Sequence, residues 1–375
     1  MAGLYIHIPL CKKKCHYCDF YKTVDTDMAE RFLAALGKEI LLQRDYLDQD
    51  SVETIYLGGG TPSVLSAKQV ESILGQLHEV FDVSSNAEIT IEANPDDINK
   101  TYVRDLKKTG INRISVGIQS WDDRVLQFLN RRHTSEEAEK ALSSILNSGI
   151  ENISADLIYG IPGMTIKQWT ESLRKTLNFD IKHLSAYHLT IEPHTVFGKM
   201  KESGEIQEID EGESENQYRV LTRLCKKHGY IHYEISNFCK DGYFSKHNTN
   251  YWKQKPYLGL GPSAHSYNGD SRQWNISDLD EYVRSIENEE LPCTIEILTT
   301  RDCYNEYVMT SLRTMWGINL DFIEENINKE SRDYLNNLAT RLVKYGMMEK
   351  NANQLTLTDQ GRMISDNIIS ELMMT

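Results

Sequence analysis

Tyr5-Ile-His-Ile-Pro-Leu-Cys11-Lys-Lys-Lys-Cys15-His-Tyr-Cys18 is an apolar run emptying into a loop that holds three cysteines within eight residues. Three thiolates on one loop can wrap a single metal centre. Structural zinc takes four protein ligands, so a zinc site would recruit His16 or His7 as the fourth. The order Cys15-His16-Tyr17-Cys18 is not the CxxCH of covalent haem attachment. A [4Fe–4S] cluster also takes four ligands, usually cysteines. Three cysteines leave one iron open to a small chelating ligand, and an open position marks a reactive site rather than a structural one. The remaining cysteines (Cys225, Cys239, Cys293 and Cys303) are scattered, which argues against a disulfide framework.

Working outward, the run at 4–8 is the first of six apolar, β-branched segments, the others at 54–57, 88–93, 113–118, 152–158 and 183–191. Such runs suit strands covered on both faces. Amphipathic stretches near 27–47, 66–80, 97–108, 134–147 and 165–178 alternate with them, with Ser66 and Thr134 placed as N-caps and Glu137 completing a capping box. Gly110 and Gly149 stand where C-caps belong. Repeated βα units predict a parallel sheet, and six of them favour a partial (β/α)6 TIM-like barrel over a complete eightfold one. The strand ends carry chemistry in succession: the cysteine loop, Gly58-Gly59-Gly60-Thr61-Pro62, Glu92-Ala-Asn94-Pro95, Gln119 and Asp156. In parallel barrels these ends converge on one face, where active sites are built. Taken singly, the glycines could be a tight turn, and Glu92, Gln119 and Asp156 satisfied structural groups.

The chain has 375 residues, 40% hydrophobic and 26% charged, with 41 Lys+Arg against 55 Asp+Glu for a net charge of −14. That composition describes a globular protein of about two domains. The acidic balance disfavours nucleic acid as a partner. No apolar run reaches the ~20 residues of a membrane span, and the first residues lack a secretory leader pattern, so a cytoplasmic location is expected. The acidic stretch 201–217 reads as a solvated surface insertion, and 230–268 as irregular structure with one strand near 231–235. From about 278 the pattern turns helical (279–288, 301–313, 319–326, 331–345). A hairpin at 347–357 and a last helix near Asp359 follow, an α-helical, winged-helix-like arrangement. The expected division is 1–265 for the barrel with its irregular segment and 266–375 for the accessory domain.

The strings YIHIPLCKKKCHYCDFY, TIYLGGGTPS, EITIEANP, NRISVGIQS, LNRRH, DLIYGIPG and YEISNF occur in that order. Together they strongly resemble the radical S-adenosylmethionine (SAM) proteins related to oxygen-independent coproporphyrinogen III oxidase. The resemblance implies that Cys11, Cys15 and Cys18 hold a [4Fe–4S] cluster whose open iron is chelated by SAM. It implies that Tyr5, Tyr17, Gly59, Gly60 and Thr61 line the SAM site. It further implies that Glu92, Gln119, Arg131 and Asp156 bind SAM's amino-acid, ribose or sulfonium parts, with Arg132 the neighbour onto which the arginine assignment could slip. Reductive cleavage of SAM to a carbon-centred radical is the chemistry such a site implies.

Within that family the chain is most similar to a haem-chaperone branch. The oxidases continue their motif to a fourth cysteine, where this chain has Phe20, and they carry an N-terminal extension ahead of the cysteine loop that is not seen here. His247-Asn248-Thr249-Asn250-Tyr251-Trp252 matches the HNxxYW motif of the chaperone branch. The resemblance therefore implies haem as a ligand, with His247, Tyr251 and Trp252 binding it, and haemoproteins as acceptors. It leaves room for acceptors at the membrane face and for a homodimer. The rival expectation is an enzyme that decarboxylates coproporphyrinogen III. A third, a winged-helix regulator with a metal-sensing domain, would need a basic face.

Overall fold

The computed structural model describes residues 1–25, 27–48 and 50–374. Six parallel strands form its centre: β1 (Ala2–Ile8), β2 (Val52–Gly59), β3 (Val83–Ala93), β4 (Arg113–Gln119), β5 (Asn152–Tyr159) and β6 (His183–His188), each paired in register with the next. Helices return between them over Ala29–Leu42, Ala67–Val80, Lys100–Lys108, Ser135–Leu146 and Ile166–Leu177. The capping box expected at Thr134 and Glu137 forms, and Ser66 with Gln69 and Thr165 with Gln168 form two more. Each box satisfies amide donors that the first turn cannot bond internally, and so fixes where a helix starts after its loop. The helices bury one stripe against the sheet, for example Val70, Ile73, Leu74 and Leu77.

The barrel stays open, as six units require. Beyond β6 the short antiparallel pair β8 (Asn237–Cys239) and β7 (Ile231–His232) extends the sheet at one edge. On the other side β9 (Tyr257–Leu260) runs parallel to β1, and β10 (His265–Tyr267), β11 (Ser271–Asn275) and β12 (Cys293–Ile297) continue antiparallel. The twelve-stranded sheet thus runs past residue 265 and ends at Ile297. A separate hydrophobic cluster begins at Tyr304 and includes Val308, Leu335, Leu342, Leu355 and Ile369. It lies between helices Thr300–Leu312 and Lys329–Lys344 and a small sheet of β13 (Ile318–Asn319), β14 (Met348–Asn351) and β15 (Gln354–Leu357), the expected helices followed by a hairpin.

Two expectations change. Residues 211–217 of the acidic stretch open the helix Glu211–Lys227, whose side-chain cap is Asp210. Glu211 and Glu213 in its first turn suit the positive end of the helix dipole, and Gln217 is buried. The segment 230–268 is ordered as β7–β10 and the helix Lys246–Trp252, because its aromatic and histidine side chains pack inward rather than repeating along one helical stripe. Among the described residues no helix is long and apolar enough to cross a membrane.

Candidate functional site at the strand ends

Most strand residues are buried, and the exceptions are informative. Tyr5 is the partly accessible residue of β1, Glu92 the one near the end of β3, Gly117 and Gln119 those of β4, and Asp156 the one in the second half of β5. Residues two apart share one face of a strand, so these side chains line one interior reached by solvent. The sequence-expected residues are therefore brought together.

The cysteine loop is held over this interior by backbone. Cys11 N–H donates to Thr23 (2.8 Å), His16 N–H to the Leu129 carbonyl (3.2 Å), and Gly60 and Thr61 N–H to the carbonyls of Ile8 and Leu10 (2.8 and 2.9 Å). The Cys11 thiol shares a 3.2 Å hydrogen bond with the Thr61 hydroxyl. Gly59 has φ +99°, and a Cβ there would meet the His7 ring at 2.6 Å, so the turn needs glycine. Among the described residues no three His, Cys, Asp or Glu side chains converge on a single metal position. The donor set itself fits an iron–sulfur group: three thiols on one loop, whose mutual repulsion as thiolates adds to burial in raising the Cys11 thiol.

Arg131, and not Arg132, faces the cysteines. Its Nη1 donates to Cys15 Sγ (3.5 Å) and Tyr17 Oη (3.4 Å), and its Nη2 to Asn94 Oδ1 (2.5 Å) and the Gly117 carbonyl (2.8 Å). Arg132 turns away onto Asp96 (3.0 Å) and Asp97 (2.9 Å). Asp97 also takes Lys12 (2.7 Å) and the Ser63 hydroxyl (2.9 Å). The turn after β3 therefore ties the cysteine loop, the glycine turn and the LNRRH segment into one hub. At Gly117 an added Cβ would meet Gln119 Nε2 at 2.8 Å and Arg131 Nη2 at 3.2 Å, so its missing side chain leaves the space both groups use. Gln119 itself holds φ +63°, a costly angle for a residue with a side chain and one that accumulates at functional sites.

Two carboxylates complete the wall. Glu92 accepts from Tyr56 Oη (2.8 Å), and burial pushes its carboxyl up to about 7. Asp156 accepts from the hydroxyls of Ser115 (3.0 Å) and Ser154 (3.1 Å), and burial raises it as well. Both carboxyls stand ready for a cation, since an arriving positive charge favours the ionised form that burial disfavours.

A family model described as the Radical SAM superfamily matches residues 5–176, and one described as the HemN C-terminal domain matches 298–364. The haem chaperone HemW of Bacillus subtilis is 32% identical, covering 98% of each chain, and that of Lactococcus lactis 30% identical over 99% of this chain and 97% of its own. The chain belongs to the HemW family. The structure of coproporphyrinogen III oxidase (HemN) from Escherichia coli has the same fold, with a TM-score of 0.86, 24% identity and coverage of 99% of this chain and 89% of that one.

Phe20, which follows the cysteine loop, is 67% exposed in this HemW-family chain. The HNxxYW helix lies elsewhere, at the start of the strands. His247 is buried there, its Nδ1 shared with Thr54 Oγ1 and its Nε2 with Tyr251 Oη, each at 2.8 Å. Its ring stacks on Tyr56 at 5.1 Å, and its backbone N–H donates to Glu88 Oε1 at 3.2 Å. Burial and the nearby Arg113 push the His247 imidazole down to about 3, so it is neutral. His247 thus has both nitrogens engaged, while Trp252 lines a small space with Tyr257 and Tyr267. Sequence reading named Asn94 at the end of the third strand but missed Tyr56, Ser115 and Gly117. Tyr56 and Ser115 stand two or more residues before a strand end, and only the inward-facing period of two could have marked them.

Proposed function

We propose that the chain binds haem and passes it to haemoproteins, and that its cysteine loop carries a [4Fe–4S] cluster with SAM. Full-length similarity to haem chaperones carries the first part, and Phe20 in the place of the oxidases' fourth cysteine supports it. Cys11, Cys15 and Cys18 would hold the cluster, and Tyr5, Tyr17, Gly59, Gly60, Thr61, Glu92, Gln119, Arg131 and Asp156 the SAM. When bound, that pair supplies one-electron chemistry at SAM's carbon–sulfur bonds. Arg131 places a cation beside the thiolates, with Tyr17 on the same guanidinium. Ligation of haem by one nitrogen of His247 would require its bond to either Thr54 or Tyr251 to open, while the other bond could hold the ring; Tyr251 and Trp252 would stand beside that ligand.

We place the protein in the cytoplasm, with acceptors at the membrane face. A homodimer is supported by the free edge of β12, where Ile295 and Ile297 are 60% and 73% exposed. Antiparallel pairing of two copies about Ile295 would set Glu296 opposite Thr294 rather than another carboxylate. Sedimentation should show Ile297→Lys as a monomer at concentrations where the parent chain dimerises; a monomeric parent chain removes the dimer.

Titration of the purified protein with haem, followed by transfer to an apo-haemoprotein, tests the main reading. Binding and transfer are expected. Sustained formation of protoporphyrinogen from coproporphyrinogen III by the cluster-loaded protein, with SAM and a reductant, would replace the chaperone with an oxidase.

A further inference from the structure

A cleft of ≈ 1550 Å³ lies outside the barrel, between the helix Glu211–Lys227, the β7–β8 pair and the helix Asp359–Met363. It shares no lining residue with the cysteine loop, the strand-end site or the HNxxYW helix. Its floor is aromatic. His232 stacks on Phe238 (4.2 Å between ring centres, 14° between planes), and Tyr218 meets His232 edge-on at 6.1 Å. Arg362 Nη1 lies 3.2 Å from His232 Nδ1, which places a guanidinium beside the stacked rings. Its rim is cationic: Arg219, Arg223 and Lys226 follow one another at spacings of four and three, which puts them along one face of their helix. Arg219 pairs with Glu215, whereas among the described residues Arg223 and Lys226 have no ion pair. The lining carboxylates are Glu213 and Asp359. Two cations without an ion pair thus line one cleft with Tyr218, His232 and Phe238.

The wall is built without a ligand. Gln217 is buried; its Oε1 accepts from Gly160 N–H (2.9 Å), its Nε2 donates to the Met164 carbonyl (3.1 Å), and its own carbonyl accepts from the Trp169 indole (2.9 Å). The helix that carries the cations is thereby fixed to the turn after β5, and Met164 and Met363 offer polarisable thioethers to a flat face. The volume exceeds the ~300–1,000 Å³ of most small-ligand sites and suits a macrocycle.

We propose that this cleft is a seat for a carboxylated tetrapyrrole, its ring against Tyr218 and the His232–Phe238 stack and its carboxylates on Arg223, Lys226 and Arg362. The proposal rests on the haem reading above and adds a location independent of His247. A seat made of faces and charges needs no iron ligand, so metal-free protoporphyrin IX should enter it as readily as haem.

The test is a fluorescence titration of protoporphyrin IX into the full chain, with a parallel haem titration by absorbance. Arg223→Glu with Lys226→Glu should weaken protoporphyrin binding roughly 10-fold or more, as loss of charge-assisted contacts implies. The dimethyl ester of protoporphyrin should bind the parent chain and the variant alike. Lys38→Glu with Lys68→Glu, an equal charge change on distant helices, should change nothing. Should the reversal disturb the helix by circular dichroism, Arg223→Gln with Lys226→Gln makes the same comparison with a smaller loss. If the parent chain binds haem but neither pair of substitutions alters either affinity, the cleft is overturned and the haem reading stands. If the parent chain binds neither haem nor porphyrin, the haem reading falls and the cleft with it. Displacement of the porphyrin by millimolar ATP would overturn the tetrapyrrole assignment.

Discussion

Glu92 is the residue whose environment makes the sharpest demand. Its carboxyl sits near 7, against an ordinary value near 4.5, because burial disfavours the charge. Between those two pH values the folded protein keeps a proton that the unfolded chain has released, so stability falls as pH rises through the window, by on the order of 2–3 kcal/mol. Glu92→Gln should flatten this slope in urea unfolding between pH 5 and 8; an unchanged slope would mean that the carboxyl titrates normally. The sign reverses for a cationic ligand. SAM binding that needs the carboxylate should weaken about tenfold per unit below pH 7, and the Gln variant should lose that dependence. At the cysteine loop, replacing Cys11, Cys15 or Cys18 with Ala should abolish iron–sulfur absorbance after anaerobic reconstitution, whereas Cys225→Ala should preserve it. Uptake of zinc with no iron would sink the cluster assignment. The three thiols were legible because chemistry concentrates in eight residues. Arg131 could not be told from Arg132, since neighbouring residues in a loop carry no period that says which one turns inward.

The helix Lys246–Trp252 acts as a floor to the barrel, with His247 clamped between Thr54 and Tyr251. His247→Ala leaves a buried hydroxyl without its partner at each nitrogen and should cost about 2–4 kcal/mol of stability by denaturant titration. Tyr251→Phe removes one of those bonds and should cost about 1 kcal/mol. A His247 variant as stable as the parent chain would show that the ring is not a floor in solution. This also bears on reading haem variants, since a lost haem signal in His247→Ala is meaningful only alongside a folding measurement. The six parallel strands were legible from their apolar runs, because strands buried on both faces have no polar alternation to confuse the pattern. β10–β12 were not. They are short, and β12 is open to solvent over most of its length, so no burial pattern is written into Cys293–Ile297. The helix Glu211–Lys227 was half hidden because acidic residues that cap a helix and acidic residues of a loop look alike in one dimension.

At the scale of the whole molecule, two hydrophobic clusters are joined by polar contacts. Arg272 on β11 meets both oxygens of Glu306 on the helix Thr300–Leu312 (2.5 and 2.6 Å), and Met315 N–H donates to the Tyr233 carbonyl (2.8 Å). The bidentate pair is partly buried, a geometry in which removing one partner costs more than the pair contributes. Glu306→Ala should therefore uncouple the units, giving two calorimetric transitions where the parent chain gives one. A single transition in the variant would mean that the apolar contacts alone keep the units cooperative.

Glu39, on the helix Ala29–Leu42, is buried and accepts from Gly261 N–H (2.7 Å), Asn275 Nδ2 (2.6 Å) and Tyr282 Oη (2.6 Å). None of those partners has been synthesised when Glu39 leaves the ribosome. Gly261 follows 222 residues later, roughly 10–40 s at ordinary elongation rates. Until then the first βα unit carries a carboxylate with no donor and a strand, β1, with no β9 beside it. Nascent chains stalled with residue 250 just emerged should be open to protease throughout the first helix, and those with residue 290 emerged should resist it; early resistance would show that water suffices for Glu39 in the interim. For tens of seconds per molecule, the growing polypeptide depends on whatever holds unfinished chains apart.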